Sequence, residues 1–280
     1  MDPRLEKINQ AAAYVKEILD NEGLAPKIGI VLGSGLGRLS DNIETPVTIP
    51  YKNIPGFPVS TAIGHKGNFI VGSLAGKTVI AMQGRLHYYE GYDMDMVVLP
   101  IRVMKVLGIE YLFVSNAAGG VNMSFQTGDL MIITDHINQI PNPLIGPNLD
   151  EFGPRFPDMT RPYDPRLIAM AEEIGKEMGL NLRKGVYFAC TGPTYETPHE
   201  GDRNEVVVDQ LGANDLCRAL ALFGRKSPAD RAHPPSDVVF CLCLLFHGGY
   251  CSISRAQHAK TKTVCSRAGT LATKLPPIMV

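Results

Sequence analysis

The chain has 280 residues, 45% hydrophobic and 20% charged, with a formal net charge of -1. That length accommodates one large α/β domain or two small ones, and the composition is that of an ordinary globular protein. So even a charge balance gives no reason to expect a nucleic acid or another polyanion as partner.

The start, Met1-Asp2-Pro3-Arg4-Leu5-Glu6-Lys7, is charged and helix-like rather than an apolar leader. Asp2 reads as an N-cap with proline in the first turn, and Leu5, Ile8, Ala12, Val15, Ile18 and Leu19 recur at helical spacing up to Asn21-Glu22-Gly23. Ile28 to Leu32 reads as a short buried strand running into Gly33-Ser34-Gly35-Leu36-Gly37. Val79 to Met82 reads as a strand ending in Gly84-Arg85-Leu86-His87-Tyr88-Tyr89-Glu90-Gly91. The periodic stretch Met96 to Leu107 predicts one buried helix despite Pro100. Tyr111 to Val114 predicts a strand leading into Ser115-Asn116-Ala117-Ala118-Gly119-Gly120, and Leu130 to Thr134 another. Asp164-Pro165 caps a helix that Gly179 stops, and Val186 to Ala189 predicts a strand before Thr191-Gly192-Pro193-Thr194-Tyr195-Glu196-Thr197. Strands alternating with helices predict a single α/β domain, with a mixed, mostly parallel central sheet flanked by helices.

Four of these strands end in a glycine-rich or polar cluster. One such cluster is a turn; four predict strand ends converging on one pocket, since open α/β sheets bind ligands at their carboxyl edge. Arg85 offers the planar fork that grips a phosphate in two places. The Gly33 to Gly37 turn lets the backbone approach an anion, with Ser34 adding a hydroxyl. Its spacing is GxGxG rather than the dinucleotide GxGxxG, so a nicotinamide-dependent oxidoreductase has only this turn in its favour. His65, between Gly64 and Gly67, is a candidate anion donor or part of a lid. Asn116 to Gly120 offers small side chains and open backbone N–H groups. Tyr195 and Glu196 set an aromatic surface beside a carboxylate that can accept from a heterocyclic base.

Together GSGLG, GH, GRLHYYEG, NAAGG followed by DLMIITDHIN, and GPTYET resemble the purine nucleoside phosphorylase family of the trimeric type, in matching order across residues 1 to about 200. The resemblance implies phosphorolysis of purine nucleosides such as inosine, guanosine and their deoxy forms to free base and ribose 1-phosphate. It implies His87 and Glu196 as catalytic residues, and Ser34, His65, Arg85, His87 and Ala117 around the phosphate. Tyr89 then contacts the ribose, while Asn116, Tyr195 and Glu196 contact the base. Phe156 resembles the residue that reaches into a neighbour's site in a homotrimer. Phosphate is a co-substrate; no cofactor and no metal are implied, no nucleic acid or membrane partner is expected, and the location implied is cytoplasmic.

After Glu200 the likeness stops. A Gly-Met-Ser-Thr-type segment, a Thr-Asn pair on a strand and a histidine near the ribose, all implied by the resemblance, are absent from Gly201 to Val280. No Asp or Glu follows Asp237, whereas Arg255, Lys260, Lys262, Arg267 and Lys274 do. Five of the six cysteines (Cys217, Cys241, Cys243, Cys251 and Cys265) lie here, and only Cys190 precedes residue 200. Cys241, Cys243, His247 and Cys251 do not match paired zinc knuckles, and buried or incidental thiols are the favoured reading. Val238 to Phe246 is the one strong apolar run of this region and is too short for a bilayer-spanning helix. The expected organisation is a phosphorylase-like α/β domain at 1-200 and an anomalous tail at 201-280. So sharp a shift suggests a reading-frame slip or an unrelated replacement, which the alternative frames of the gene would test. It predicts weak or absent activity, with a non-catalytic phosphate- or nucleoside-binding relative as the alternative.

Overall fold

The computed structural model describes residues 2–33, 36–59, 66–120, 122 and 124–194, together with the backbone of 206–209 and 238–247. Helix α1 (Pro3–Asn21) begins where expected: the Asp2 carboxylate accepts from the Arg4 backbone N–H, and Pro3 occupies the first turn. Its buried stripe is Ile8, Ala11, Ala12, Val15 and Leu19, the spacing that puts one face on the core. Burial of each large aliphatic side chain there contributes about 1.5–3 kcal/mol.

Strand β1 (Ile28–Val31) is buried throughout, as a strand covered on both faces must be. Strands β2 (Glu44–Pro50), β3 (Asn68–Leu74) and β4 (Lys77–Gln83) form an antiparallel meander. Ala75 and Gly76, both at positive φ (50° and 76°), make the two-residue turn between β3 and β4. β2 and β3 carry no strong alternation, and β2 is largely exposed with a proline at positions 46 and 50, as suits the outer strand of a sheet.

The single helix expected at Met96–Leu107 is two: α2 (Met94–Val97) and α3 (Leu99–Val106). Pro100 sits in the first turn of α3, where its missing N–H costs nothing, so the chain restarts a helix rather than carrying the proline inside one. Buried Arg102 on α3 ties Asp95 to the Pro143 carbonyl.

Strand β5 (Tyr111–Gly120) runs on through Ser115–Gly120, a segment expected to be a loop. Strand β6 (Leu130–Asn138), helix α4 (Pro165–Glu177) and strand β7 (Arg183–Ala189) follow. Asp164 caps α4 by accepting from the Arg166 and Leu167 N–H groups, and Gly179 beyond it has φ 65°. Two strands come from beyond residue 200: β8 (Val206–Asp209) and β9 (Val238–His247).

The strand order is β2-β3-β4-β1-β5-β8-β7-β6-β9, with β9 also paired to β5. The last pairing closes β5, β8, β7, β6 and β9 into a ring, from which β1, β4, β3 and β2 extend as an open sheet. Five pairings are parallel and four antiparallel, so the sheet is mixed and slightly more parallel than not. Parallel β4, β1 and β5 are adjacent and bring their carboxyl ends side by side.

Candidate active site

The site grows from a mismatch in strand length. β1 pairs with β5 only as far as Val31↔Val114, and β8 takes over that side of β5 at Gly119 and Gly120. In the interval between, Ser115 and Asn116 meet the Gly33 turn and Ser115 meets the Arg85 side chain. At Gly33 a Cβ would stand 2.5 Å from the Ser115 carbonyl oxygen and 2.6 Å from the Asn116 Cα, so only glycine lets the turn lie this close. Its N–H donates to Ser115 Oγ (3.1 Å), and that hydroxyl donates to the Val31 carbonyl (2.9 Å). The turn tightens through Leu36 N–H to the Gly33 carbonyl (3.0 Å).

Arg85 enters from the end of β4. It is 1% exposed, and its Nη1 donates to the Ser115 carbonyl at 3.1 Å. A guanidinium held this deep acts in a medium that screens charge far less than water does, so an anion beside it is attracted strongly. His87, also 1% exposed, is held by Glu90: the backbone N–H and Nδ1 of His87 both lie 2.8 Å from Glu90 Oε1. An ionised carboxylate only accepts, so with Glu90 ionised the Nδ1 of His87 carries the proton of this contact. Tyr89 stacks on His87 with ring centroids 4.8 Å apart and planes 22° apart. Behind this segment, the Tyr51 hydroxyl donates to the Gly84 carbonyl (3.0 Å). Burial pushes that phenol well above its ordinary range, which keeps it a hydroxyl donor.

Asn116 and Ala117 are buried in β5, opposite the turn, with Asn116 Nδ2 3.4 Å from the Ala117 carbonyl. Expected to offer open loop N–H groups, they lie instead in a strand whose other side is laddered to β9 at Cys243 and Leu244. The end of β7 reaches the same level of β5 across β8: Gly119 pairs with Val208, and Val208 with Phe188. Thr191 to Thr194 continue from there.

The structure therefore brings Arg85, Gly33, Ser115 and Asn116 together, stacks Tyr89 on the His87 ring two residues beyond Arg85, and buries Ala117 next to Asn116 on β5. Ser34, His65, Tyr195 and Glu196 lie outside the described residues. Phe156 stands apart, 86% exposed, on an open groove of about 540 Å³ that shares no lining residue with the Arg85–His87 cluster. Ser115, joined to both the turn and Arg85, is a site residue that motif reading passed over; its position between a strand end and NAAGG was the available signal. Among the described residues no group of three or more His, Cys, Asp or Glu could hold a metal, and no helix is long and apolar enough to cross a membrane.

Residues 27–216 match the family model of the phosphorylase superfamily. Over 196 residues the chain is 58% identical to purine nucleoside phosphorylase 1 of Bacillus subtilis, covering 70% of this chain and 71% of the relative. The fold is similar to that of Schistosoma mansoni purine nucleoside phosphorylase solved with adenosine, with a TM-score of 0.80, 35% identity and 96% of each chain covered. It is equally similar to a purine nucleoside phosphorylase solved with ribose-1-phosphate, with a TM-score of 0.80, 37% identity and 97% of each chain covered.

Proposed function

The chain belongs to the phosphorylase superfamily and, within it, to the purine nucleoside phosphorylases, and we propose that it cleaves purine nucleosides with phosphate. Inosine, guanosine and their deoxy forms are the substrates of this reading, and free base and ribose 1-phosphate its products. The carrying observation is the buried Arg85 guanidinium on Ser115 of β5, to which the Gly33 turn also bonds, with buried His87 two residues further along the chain.

The chemistry needs such a cradle. As the bond from C1′ to the purine nitrogen breaks, the ribose becomes oxocarbenium-like and the base takes the electron pair. Phosphate then supplies the electron pair of the new C1′–O bond. Fixed donors that hold the anion against the cationic ribose stabilise the transition state more than the ground state. In this reading Arg85, His87, Ser34 and the backbone at Ala117 hold phosphate, with His65 at its margin. Glu90 keeps the His87 ring in one tautomer and orientation, and Tyr89, stacked on that ring, meets the ribose. Tyr195 packs along the base, Asn116 lines its pocket, and Glu196 accepts from its N–H edge. Phosphate is the co-substrate, with no metal or organic cofactor. Phe156, exposed on its groove, reaches into a neighbouring copy of a homotrimer, and the protein works in the cytoplasm.

A second reading, a relative that binds phosphate or nucleoside without turnover, draws support from the family match ending at residue 216. The division at residue 200 belongs to the same proposal: a phosphorylase-like domain, followed by a tail that lacks the family's leaving-group motif. Phosphate-dependent release of hypoxanthine from inosine by the full-length chain separates the two. On the first reading weak turnover is expected, because the leaving-group motif is missing, and Arg85→Ala is expected to lower kcat/KM by about 100-fold or more, the scale of losing an oxyanion donor. Phosphate binding by a folded chain without turnover favours the second reading. Failure of the folded chain to bind either phosphate or inosine sinks both.

A further inference from the structure

We propose that Gln83 is a positioning residue that sets the spacing of the phosphate cradle by tying three of its loops together; this rests on the phosphate reading above. Gln83 ends β4, two residues before Arg85. Its Nε2 donates to Ser40 Oγ at 2.7 Å, and its Oε1 accepts from Asn68 Nδ2 at 3.3 Å. The Ser40 hydroxyl, 6% exposed, donates in turn to the Gly37 carbonyl at 2.6 Å.

The direction of this relay is forced. A carbonyl only accepts, so the Ser40 proton is spent on Gly37, and Ser40 Oγ must accept from Gln83. That places the Gln83 amide nitrogen toward Ser40 and its oxygen toward Asn68. Asn68, Gln83 and Ser40 thus each donate to the next group, ending on the Gly37 carbonyl, and neither Gln83 nor Ser40 can turn without breaking two bonds.

The relay links the segments that the phosphate reading needs. Gly37 begins the helical turn that directly follows the Gly33–Leu36 turn. Asn68 opens β3, three positions after His65 in the sequence. The Gln83 backbone makes a second tie there, its carbonyl accepting the Gly67 N–H at 3.0 Å, and the Gly67 carbonyl accepts the Tyr51 N–H at 2.8 Å. Tyr51, buried between Phe57 and Phe69 at centroid distances of 5.4 and 5.1 Å, returns through its hydroxyl to Gly84, the neighbour of Arg85. One side chain and its backbone therefore fix where the guanidinium-bearing segment stands relative to Gly37, Gly67 and Asn68. A cradle for a small tetrahedral anion tolerates errors of only about half an ångström, so such support acts on phosphate affinity before anything else.

The test is calorimetric titration of the full-length chain with inorganic phosphate and, separately, with inosine. Gln83→Leu, Ser40→Ala, the double variant and Arg85→Ala are compared, each with its thermal midpoint. Gln83→Leu and Ser40→Ala are each expected to raise the phosphate Kd about three- to tenfold, the scale of one lost hydrogen bond. The double variant is expected to bind no more weakly than the weaker single, because a relay breaks once. Inosine Kd is expected to stay within about twofold, which separates positioning from general loosening. If Gln83→Leu does not fold, Ser40→Ala carries the same expectation. Wild-type phosphate affinity in a folded Gln83→Leu or Ser40→Ala variant, or equal losses for phosphate and inosine, overturns the inference. A folded wild-type chain that binds no phosphate instead removes the phosphate reading on which it stands.

Discussion

The open half of the sheet and the closed ring meet at β5 and are built on opposite terms. In the open half, β2, β3 and β4 follow one another in chain order, β3 and β4 through a two-residue turn, and the outer strand β2 is largely exposed and proline-bearing. In the ring, β5 pairs with β9 over Tyr111↔Val238 to Gly120↔His247, across more than a hundred residues of intervening chain. The open half leaves strand ends of unequal length, and the candidate site sits in that step. Each ring strand has a paired neighbour on both sides along part of its length, and β5 shares the step, since its interval 115–118 has no ladder partner between β1 and β8. Chemistry is thus placed where pairing stops, and closure where strands distant in sequence meet.

The largest expected effect comes from breaking the ring. A chain ending at Asp237 loses the parallel partner of all ten β5 residues and the partner of β6 at Leu130 to Ile132. Open edges and uncovered apolar surface should follow. We expect no cooperative thermal transition and strong binding of a hydrophobic dye. A cooperative melt within a few degrees of the full chain would show instead that the open half stands without closure.

Gly33→Ala tests the step itself. Its methyl group would meet backbone atoms of Ser115 and Asn116 at 2.5–2.6 Å, which no side-chain rotation relieves. We expect about 1–3 kcal/mol of destabilisation in urea titrations, together with a loss of phosphate affinity larger than that of Gln83→Leu. Unchanged phosphate affinity would place the anion elsewhere.

Phe156→Ala sharpens the contrast from outside both regions. The ring is 86% exposed, so the variant should melt as wild type does while kcat/KM for inosine falls about tenfold, the cost of a modest interface anchor. Unaltered kinetics would remove the neighbour contact from the proposal.

The smallest effect is on the ring's flank, at the cap of α4. Asp164→Ala should cost about 1 kcal/mol at pH 7. Burial pushes this carboxyl up, but the hydrogen bonds from the Arg166 side chain and backbone outweigh it, and the group stays below its ordinary 3.8. A depressed carboxyl gives its stabilisation above the unfolded value and loses it as pH falls through the folded one. The gap between wild type and variant should therefore narrow below pH 3.8. A constant gap from pH 7 to pH 3 would mean that the cap acts without its charge.

Much of this was legible in single stretches of chain. The stripe of α1, the caps Asp2 and Asp164, the stop at Gly179 and the apolar runs of β1, β4 and β7 are set by residues within a few positions of one another. The motif residues Arg85, His87, Tyr89, Asn116 and Ala117 are named by resemblance, because several short motifs stand in the order of one family across residues 1 to about 200. The apolar run at Val238 to Phe246 stood out too, and it is the strand that closes the ring.

What the tertiary structure decided was of a different kind. That Ser115–Gly120 is strand rather than loop depends on β9, which lies at the far end of the chain. That Gly33 must be glycine depends on Ser115, 82 residues away. That an ordinary glutamine at position 83 joins three loops depends on Ser40, Asn68 and Gly67 arriving together. Periodicity and turn chemistry are local, so a sequence displays them directly. The meeting of distant backbones is a property of the packed sheet, and no window of neighbouring residues contains it.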